Sequence, residues 1–199
     1  MAEPALSAII LAGGRAARLG GIDKPGLEVG GRTLLAAVVA AVTDAGAGQV
    51  IVVGPDQPQL PARFVREEPP GGGPVPALRR GLDELAGAAV PSGPVAVLAA
   101  DLPFLRVTHL RTLLGAAEGH SGAVLVDDEG YPQWLIGCWQ RGPLATAAAG
   151  YTGGSLRGLL APLDPAWVVI EPDAGEPPPW LDCDTRADLH QARAWPAQR

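Results

Sequence analysis

The sequence predicts an α/β fold, a three-layer α/β/α sandwich built on a mostly parallel sheet, and three observations carry that prediction. Short apolar runs alternate with helix-periodic stretches through the first two-thirds of the chain. The apolar runs are continuous rather than alternating, which marks strands buried on both faces. Several of them end in turns rich in glycine or proline. The 199 residues suffice for one domain, 1–199, with a full core.

The elements follow in order. Residues 5–11 read as a buried strand closed by Gly13 and Gly14. Residues 33–45 read as a helix with Leu34, Leu35, Val38, Val39 and Val42 on its apolar face, stopped by Gly46 and Gly48. QVIVV, 49–53, is a second buried strand and RFVRE, 63–67, a short third. A helix begins near Pro76. PVAVLAA, 94–100, is another apolar strand, and Thr108 is expected to cap the helix after it. Residues 122–126 and 131–139 read as strands, the second placed at a sheet edge because of Pro132. Helices over 143–149 and 155–160, a strand over 166–171 and a helix over 185–194 complete the chain. Proline and glycine cluster at 54–61, 69–76 and 172–179, which read as loops. There is no internal repeat.

Composition narrows the function. A net charge of −6 disfavours a general nucleic-acid binder. Cys138 and Cys183 stand far apart, outside any metal or disulfide pattern, and read as buried thiols. His109, His120 and His190 lack metal-ligand spacing. No run reaches the length of a membrane span and no leader-like segment opens the chain, so the expected location is cytoplasmic, away from membranes.

The first strand leads into LAGGRAARLGGIDKPGLEVGG, residues 11–31. Up to residue 27, Arg15, Arg18 and Lys24 against Asp23 give it a charge of +2, opposite to the chain as a whole. Lys24 is the only lysine among fifteen basic residues, and its compact ammonium acts on a phosphate as a point charge where a guanidinium fork does not fit. Gly13 and Gly14 allow positive φ and close backbone approach, so their N–H groups can form an anion nest. A polyphosphate suits such a loop at the carboxyl edge of a parallel sheet. The loop lacks the GxxxxGK[ST] of a P-loop. It also lacks dinucleotide-fingerprint spacing, and the second strand ends Val53-Gly54 without an acidic residue.

LAGGRAARLGGIDKPGLEVGGRTLL resembles the signature of nucleotidyltransferases of the molybdenum cofactor guanylyltransferase type, with Leu19 where methionine is usual and one extra glycine. The resemblance implies a Rossmann-like sheet of the nucleotide-diphospho-sugar transferase type. It also implies transfer of GMP from GTP to the terminal phosphate of molybdopterin, with release of pyrophosphate and dependence on Mg²⁺. By it, Leu11, Ala12, Gly13 and Gly14 hold the nucleotide with Arg15 beside them, Arg18 steadies the triphosphate, and Lys24 grips the phosphates. Asp101, in LAADLPFL, matches the family's magnesium ligand. Glu67, in EEPPGGGPVPA, stands near the nucleoside, with Glu68 as the alternative. Gly54 falls where relatives contact the nucleoside, often through asparagine, so only its backbone can act.

LDCDTRADL, 181–189, resembles a late family element, with Arg186 in place of proline. Asp182 and Asp184 point the same way if the backbone is extended, toward the metal or the acceptor. Alternatively Asp184 or Thr185, with Asp188, caps the last helix. Tyr131 and Pro132 open the segment that the resemblance assigns to the acceptor; Trp134 and Trp139 either stack a pterin or fill the core. The expected partners are GTP and molybdopterin, with molybdenum-insertion proteins or molybdoenzyme chaperones as candidate protein partners. Three alternatives stay open: a cytidylyltransferase on the same cofactor, an NTP:sugar-phosphate nucleotidyltransferase, and a non-catalytic nucleotide-binding regulatory module.

Overall fold

The computed structural model describes residues 6–13, 26–68, 70–87, 93–172 and 175–195. Strand β1 (Ser7–Leu11) is buried along its whole length, as a strand covered on both faces must be. A hairpin follows, β2 (Glu28–Val29) against β3 (Arg32–Thr33). Gly30 and Gly31, with φ of 58° and 80°, make the two-residue turn whose twist suits a hairpin. Apolar patterning does not predict this hairpin, because its strands are two residues each and partly exposed. Thr33 caps α1 (Leu34–Asp44), its side chain accepting from the Ala36 N–H at 3.1 Å.

Next come β4 (Gln49–Val53), β5 (Arg63–Val65) and α2 (Pro74–Ala86). Helix α2 starts two residues before Pro76, because Pro74 occupies the first helical turn, where a missing N–H costs nothing. Strand β6 (Val95–Ala99) leads to α3 (Val107–Ala116). The residue that begins α3 is Arg106, not Thr108. His109, three residues on, supplies the acceptor that the sequence reading sought from threonine: its Nδ1 accepts from the Arg106 N–H at 3.1 Å. Then follow β7 (Gly122–Val126), β8 (Pro132–Trp139), α4 (Arg141–Gly150), α5 (Leu156–Leu160), a 3₁₀ turn (Ala161–Leu163), β9 (Ala166–Val169) and α6 (Arg186–Ala194).

Seven strands form one sheet in the order β5-β4-β1-β6-β8-β7-β9. Only β8 runs against the rest. It lies inside the sheet, not at an edge as Pro132 suggested. Pro132 is tolerated because it is the first residue of the strand and pairs only with β7; pairing with β6 is limited to Ile136 through Trp139.

Alternate strand residues feed two cores. Ala8, Ile10, Val50, Val52, Ala96 and Leu98 pack under α1 and α3. Ile9, Leu11, Ile51, Val53, Val95 and Val97 pack under α2, α4 and α5. A smaller third cluster, of Leu34, Phe104, Cys183, Leu189 and Ala192, docks α6 and the segment before it onto the start of α1 and the loop after β6. This third cluster positions the site.

Candidate active site

The register of the parallel strands builds a level rim. Leu11 pairs with Val53 on one side and Ala99 on the other, and Val53 pairs with Val65. Gly13, Glu67 and Asp101 therefore each lie two residues beyond the same rung. Three further bonds carry the ladder past the strand ends: Ala12 N–H to Val53 at 2.9 Å, Gly54 N–H to Val65 at 2.9 Å, and Ala100 N–H to Leu11 at 3.2 Å. After β1 the chain adds β4 and β5 on one flank and then returns to add β6 on the other. The crevice at such a switch point is where open α/β sheets bind ligands.

Gly13 is exposed at this rim and does not use the positive φ that glycine allows. Nor is it squeezed: a Cβ there would meet Val53 O and Glu67 Oε1 at an ordinary 3.9 and 4.0 Å. Among the described residues, packing does not demand glycine at 13, which lies beside Glu67. Gly54 is the opposite case. A Cβ there would lie 2.7 Å from Ala12 Cβ and 2.9 Å from Ala12 C, so no side chain fits without displacing β1's exit. The Gly54 N–H is engaged by Val65, which leaves only its carbonyl to meet a ligand.

Glu67 and Glu68 part company. Glu68 is exposed, whereas Glu67 is half-buried and its Oε1 accepts from the Gly71 N–H at 2.7 Å, closing the glycine loop on itself. Its Oε2 is buried and has no hydrogen-bond partner among the described residues. An acceptor held out of water this way is costly unless something donates to it.

On β6's side, one carboxylate oxygen each from Asp101, Asp182 and Asp184 lies within 4.8 Å of the others. The sequence D-C-D in an extended stretch explains it: Cys183 is fully buried in the third cluster while its neighbours turn outward. Capping does not occupy Asp184. Thr185 caps α6, its Oγ1 accepting from the Asp188 N–H at 3.2 Å and its own N–H donating to Asp188 Oδ2 at 2.6 Å. Nor does Asp101 cap α3, whose first turn belongs to Arg106 and His109. Three carboxylates this close repel one another by on the order of 1 kcal/mol per pair even in water, and a cation held among them would offset that repulsion. Hard oxygen donors suit a divalent ion such as Mg²⁺ or Mn²⁺ rather than a thiophilic metal. The D-x-D alternation is a sequence signal for Asp182 and Asp184; what it lacks is the pairing with Asp101, which the third cluster supplies.

Beside the site, Arg106 joins Glu176 at 2.7 Å, fastening the loop after β9 to the start of α3. Burial holds the His109 imidazole below its ordinary value, with the Arg106 guanidinium adding to the effect. Trp139 is fully buried and belongs to the core, not to a stacking surface; Trp134 packs partly against the same cluster. Both cysteines are buried, and burial pushes the Cys138 thiol up to about 12, which makes it unreactive. Gly14, Arg15, Arg18, Leu19 and Lys24 lie outside the described residues. Among the described residues, no helix is long and apolar enough to cross a membrane.

A seven-stranded, mostly parallel sheet with a carboxylate cluster at its switch point is the architecture of an α/β nucleotidyltransferase. Residues 8–167 match the MobA-like NTP transferase domain, and the chain belongs to that family. It is 32% identical over 199 residues to a probable molybdenum cofactor guanylyltransferase of Mycobacterium avium, covering 95% of this chain and 97% of that one. A probable molybdenum cofactor guanylyltransferase of Natronomonas pharaonis is 29% identical over 198 residues, covering 93% and 95%. Among solved structures, a nucleotidyl transferase of Methanothermobacter superposes with a TM-score of 0.75 at 22% identity, over 95% of this chain and 96% of that one. Molybdopterin-guanine dinucleotide biosynthesis protein A of Archaeoglobus fulgidus superposes with a TM-score of 0.65 at 21% identity, over 94% and 96%. These two likenesses establish the fold.

Proposed function

We propose that this nucleotidyltransferase moves GMP from GTP to the terminal phosphate of molybdopterin and releases pyrophosphate. The observation that carries the reading is the meeting of Asp101, Asp182 and Asp184 at the rim where the LAGG strand ends. It occurs in a chain whose curated relatives are named molybdenum cofactor guanylyltransferases.

The rim suits one extended nucleotide. From β5 to β6 is three inter-strand steps, about 14 Å, which separates a base edge from its triphosphate. Glu67 stands at the base end. Its buried Oε2 accepts from the guanine edge, which offers N1–H and N2–H₂ side by side, or from a ribose hydroxyl. Leu11, Ala12, Gly13 and Gly14 hold the nucleotide in this proposal, with glycine allowing its close approach to the backbone, and the Gly54 carbonyl lines its nucleoside side. At the other end Asp101, joined by Asp182 and Asp184, holds the divalent ion, Mg²⁺ in this proposal. When bound, that ion offsets the negative charge of the phosphates. Arg15, Arg18 and Lys24 supply fixed positive charge to the α-phosphate and the leaving pyrophosphate. The acceptor phosphate is already anionic near neutral pH, so the attack needs no strong general base.

Pyrophosphate release, measured with GTP and CTP on molybdopterin and on sugar phosphates, tests the reading. Release with GTP and molybdopterin supports it. A preference for CTP or for a sugar phosphate replaces it with a sister transferase. Nucleotide binding without any release reduces the protein to a regulatory module.

A further inference from the structure

The two edges of the sheet are managed differently. β5 is three residues long, opens on Arg63 and is followed by Arg66, charges of the kind that blunt an edge against pairing. β9, at the other edge, reads Ala-Trp-Val-Val, with no charge, proline or bulge inside it. Its one face is covered: Val168 packs in the core under α3. Its other face is bare. Trp167 is 61% exposed and Val169 66% exposed, side by side on that face. Among the described residues the only other large hydrophobic side chain this exposed is Tyr131, 63%. It sits at the same corner, next to Pro132, whose partner Val126 also pairs with Val169. Tyr131 is not on a loose loop. Asp127 accepts from the Glu129 and Tyr131 N–H groups and from Gln133 Nε2, at 3.0, 2.8 and 2.7 Å.

Charge decides what fits there. Strands β7 and β9 and the turns at their ends carry Asp127, Asp128, Glu129, Asp164 and Glu171 and no lysine or arginine. A second copy of this chain is a poor partner. Antiparallel pairing of two β9 strands that keeps all four residues in the ladder brings the turn that holds Asp164 in each copy to the end where Glu171 of the other stands, like charge toward like charge at both ends. We infer that the β9 edge is a docking strip for another protein, which adds an extended segment of alternating apolar residues with a basic residue beyond each end of the paired stretch. Backbone pairing with β9 supplies the affinity, contact with Trp167 and Val169 the apolar part, and the two terminal cations the selectivity. The strip uses no residue of the nucleotide site.

The probe is the peptide Lys-Thr-Val-Thr-Val-Thr-Val-Lys, titrated into the ¹⁵N-labelled protein. In the antiparallel register its first and second valines face Val169 and Trp167, and its lysines lie toward the two ends of the strip, where Glu171 and the turn at Asp164 carry negative charge. Two control peptides carry glutamate at both ends or proline for the central threonine. The inference predicts saturable shifts and slowed hydrogen exchange centred on 166–170. Binding of the glutamate peptide is expected to be about tenfold weaker, and binding of the proline peptide and of the exposed-site variant Val169→Lys to be lost. Shifts that are absent, centred elsewhere or equal for the lysine and glutamate peptides overturn it. So does concentration-dependent dimerisation through β9 in sedimentation without peptide.

Discussion

Gly54→Ala is the sharpest structural test of the rim. The added methyl would lie 2.7 Å from Ala12 Cβ and 2.9 Å from the Ala12 carbonyl carbon, and the second of these is backbone. The conflict cannot be relieved by a rotamer change, since neither alanine has one. Either β4's exit or β1's exit must shift, and both are tied by hydrogen bonds, Ala12 to Val53 and Gly54 to Val65. Overpacking of this kind costs about 1–3 kcal/mol, which for a chain of this length lowers Tm by roughly 2–4 °C per kcal/mol. The same shift moves the Ala12-Gly13 backbone, so KM for GTP is expected to rise along with the loss of stability. Ala12→Gly removes the Cβ contact but not the carbonyl contact, so the double variant should recover only part of the loss. Thermal melts and GTP kinetics on the two single variants and the double variant form a cycle that isolates the contact. A Gly54→Ala protein as stable as the parent, with unchanged KM, would refute the reasoning.

Other outcomes follow from the same geometry. Asp101→Asn keeps the shape and removes one charge from the carboxylate group; turnover should fall on the order of 10²-fold or more, with a higher Mg²⁺ requirement read from a metal titration. Glu67→Ala removes the buried acceptor at the base end, and KM for GTP should rise about tenfold or more with a smaller change in kcat. Arg79 donates through Nε to Ala148 O at 2.7 Å and also to Tyr151 O, closing the C-terminal end of α4; Arg79→Met should lower stability by about 1.5–3 kcal/mol in denaturant titrations without altering KM. The folded chain resists protonating His109, whose ordinary value is 6.5. The unfolded chain takes up that proton first, so stability should fall as pH drops through about 6.5 and the loss should be complete below the depressed folded value. His109→Asn, which keeps an acceptor for the Arg106 N–H, should flatten that slope in melts across pH 5 to 8.

The fold was legible because its strands are buried on both faces, and such strands announce themselves as continuous apolar runs; 49–53 and 122–126 match β4 and β7 residue for residue. Elements defined by something other than burial were not. The hairpin at Gly30-Gly31 rests on turn geometry. The cap of α3 rests on a histidine acting from the third position. The interior place of β8 is a property of strand order, which one proline at a strand's first residue cannot report. In the site, Asp101 and Glu67 were legible from strand ends and motif. The approach of Asp182 and Asp184 was only half legible, since local alternation points both side chains one way while their meeting with Asp101 depends on Phe104 and Cys183 sharing a distant apolar cluster.

The most direct measurement follows the α-phosphorus. GTP radiolabelled at that atom is incubated with Mg²⁺, molybdopterin and the protein, and the products are separated. The account predicts that the label moves into the pterin dinucleotide while unlabelled pyrophosphate accumulates, and that Asp101→Asn slows both on the order of 10²-fold or more. Label that stays in GTP, or that appears as free GMP with no pterin adduct, would contradict it.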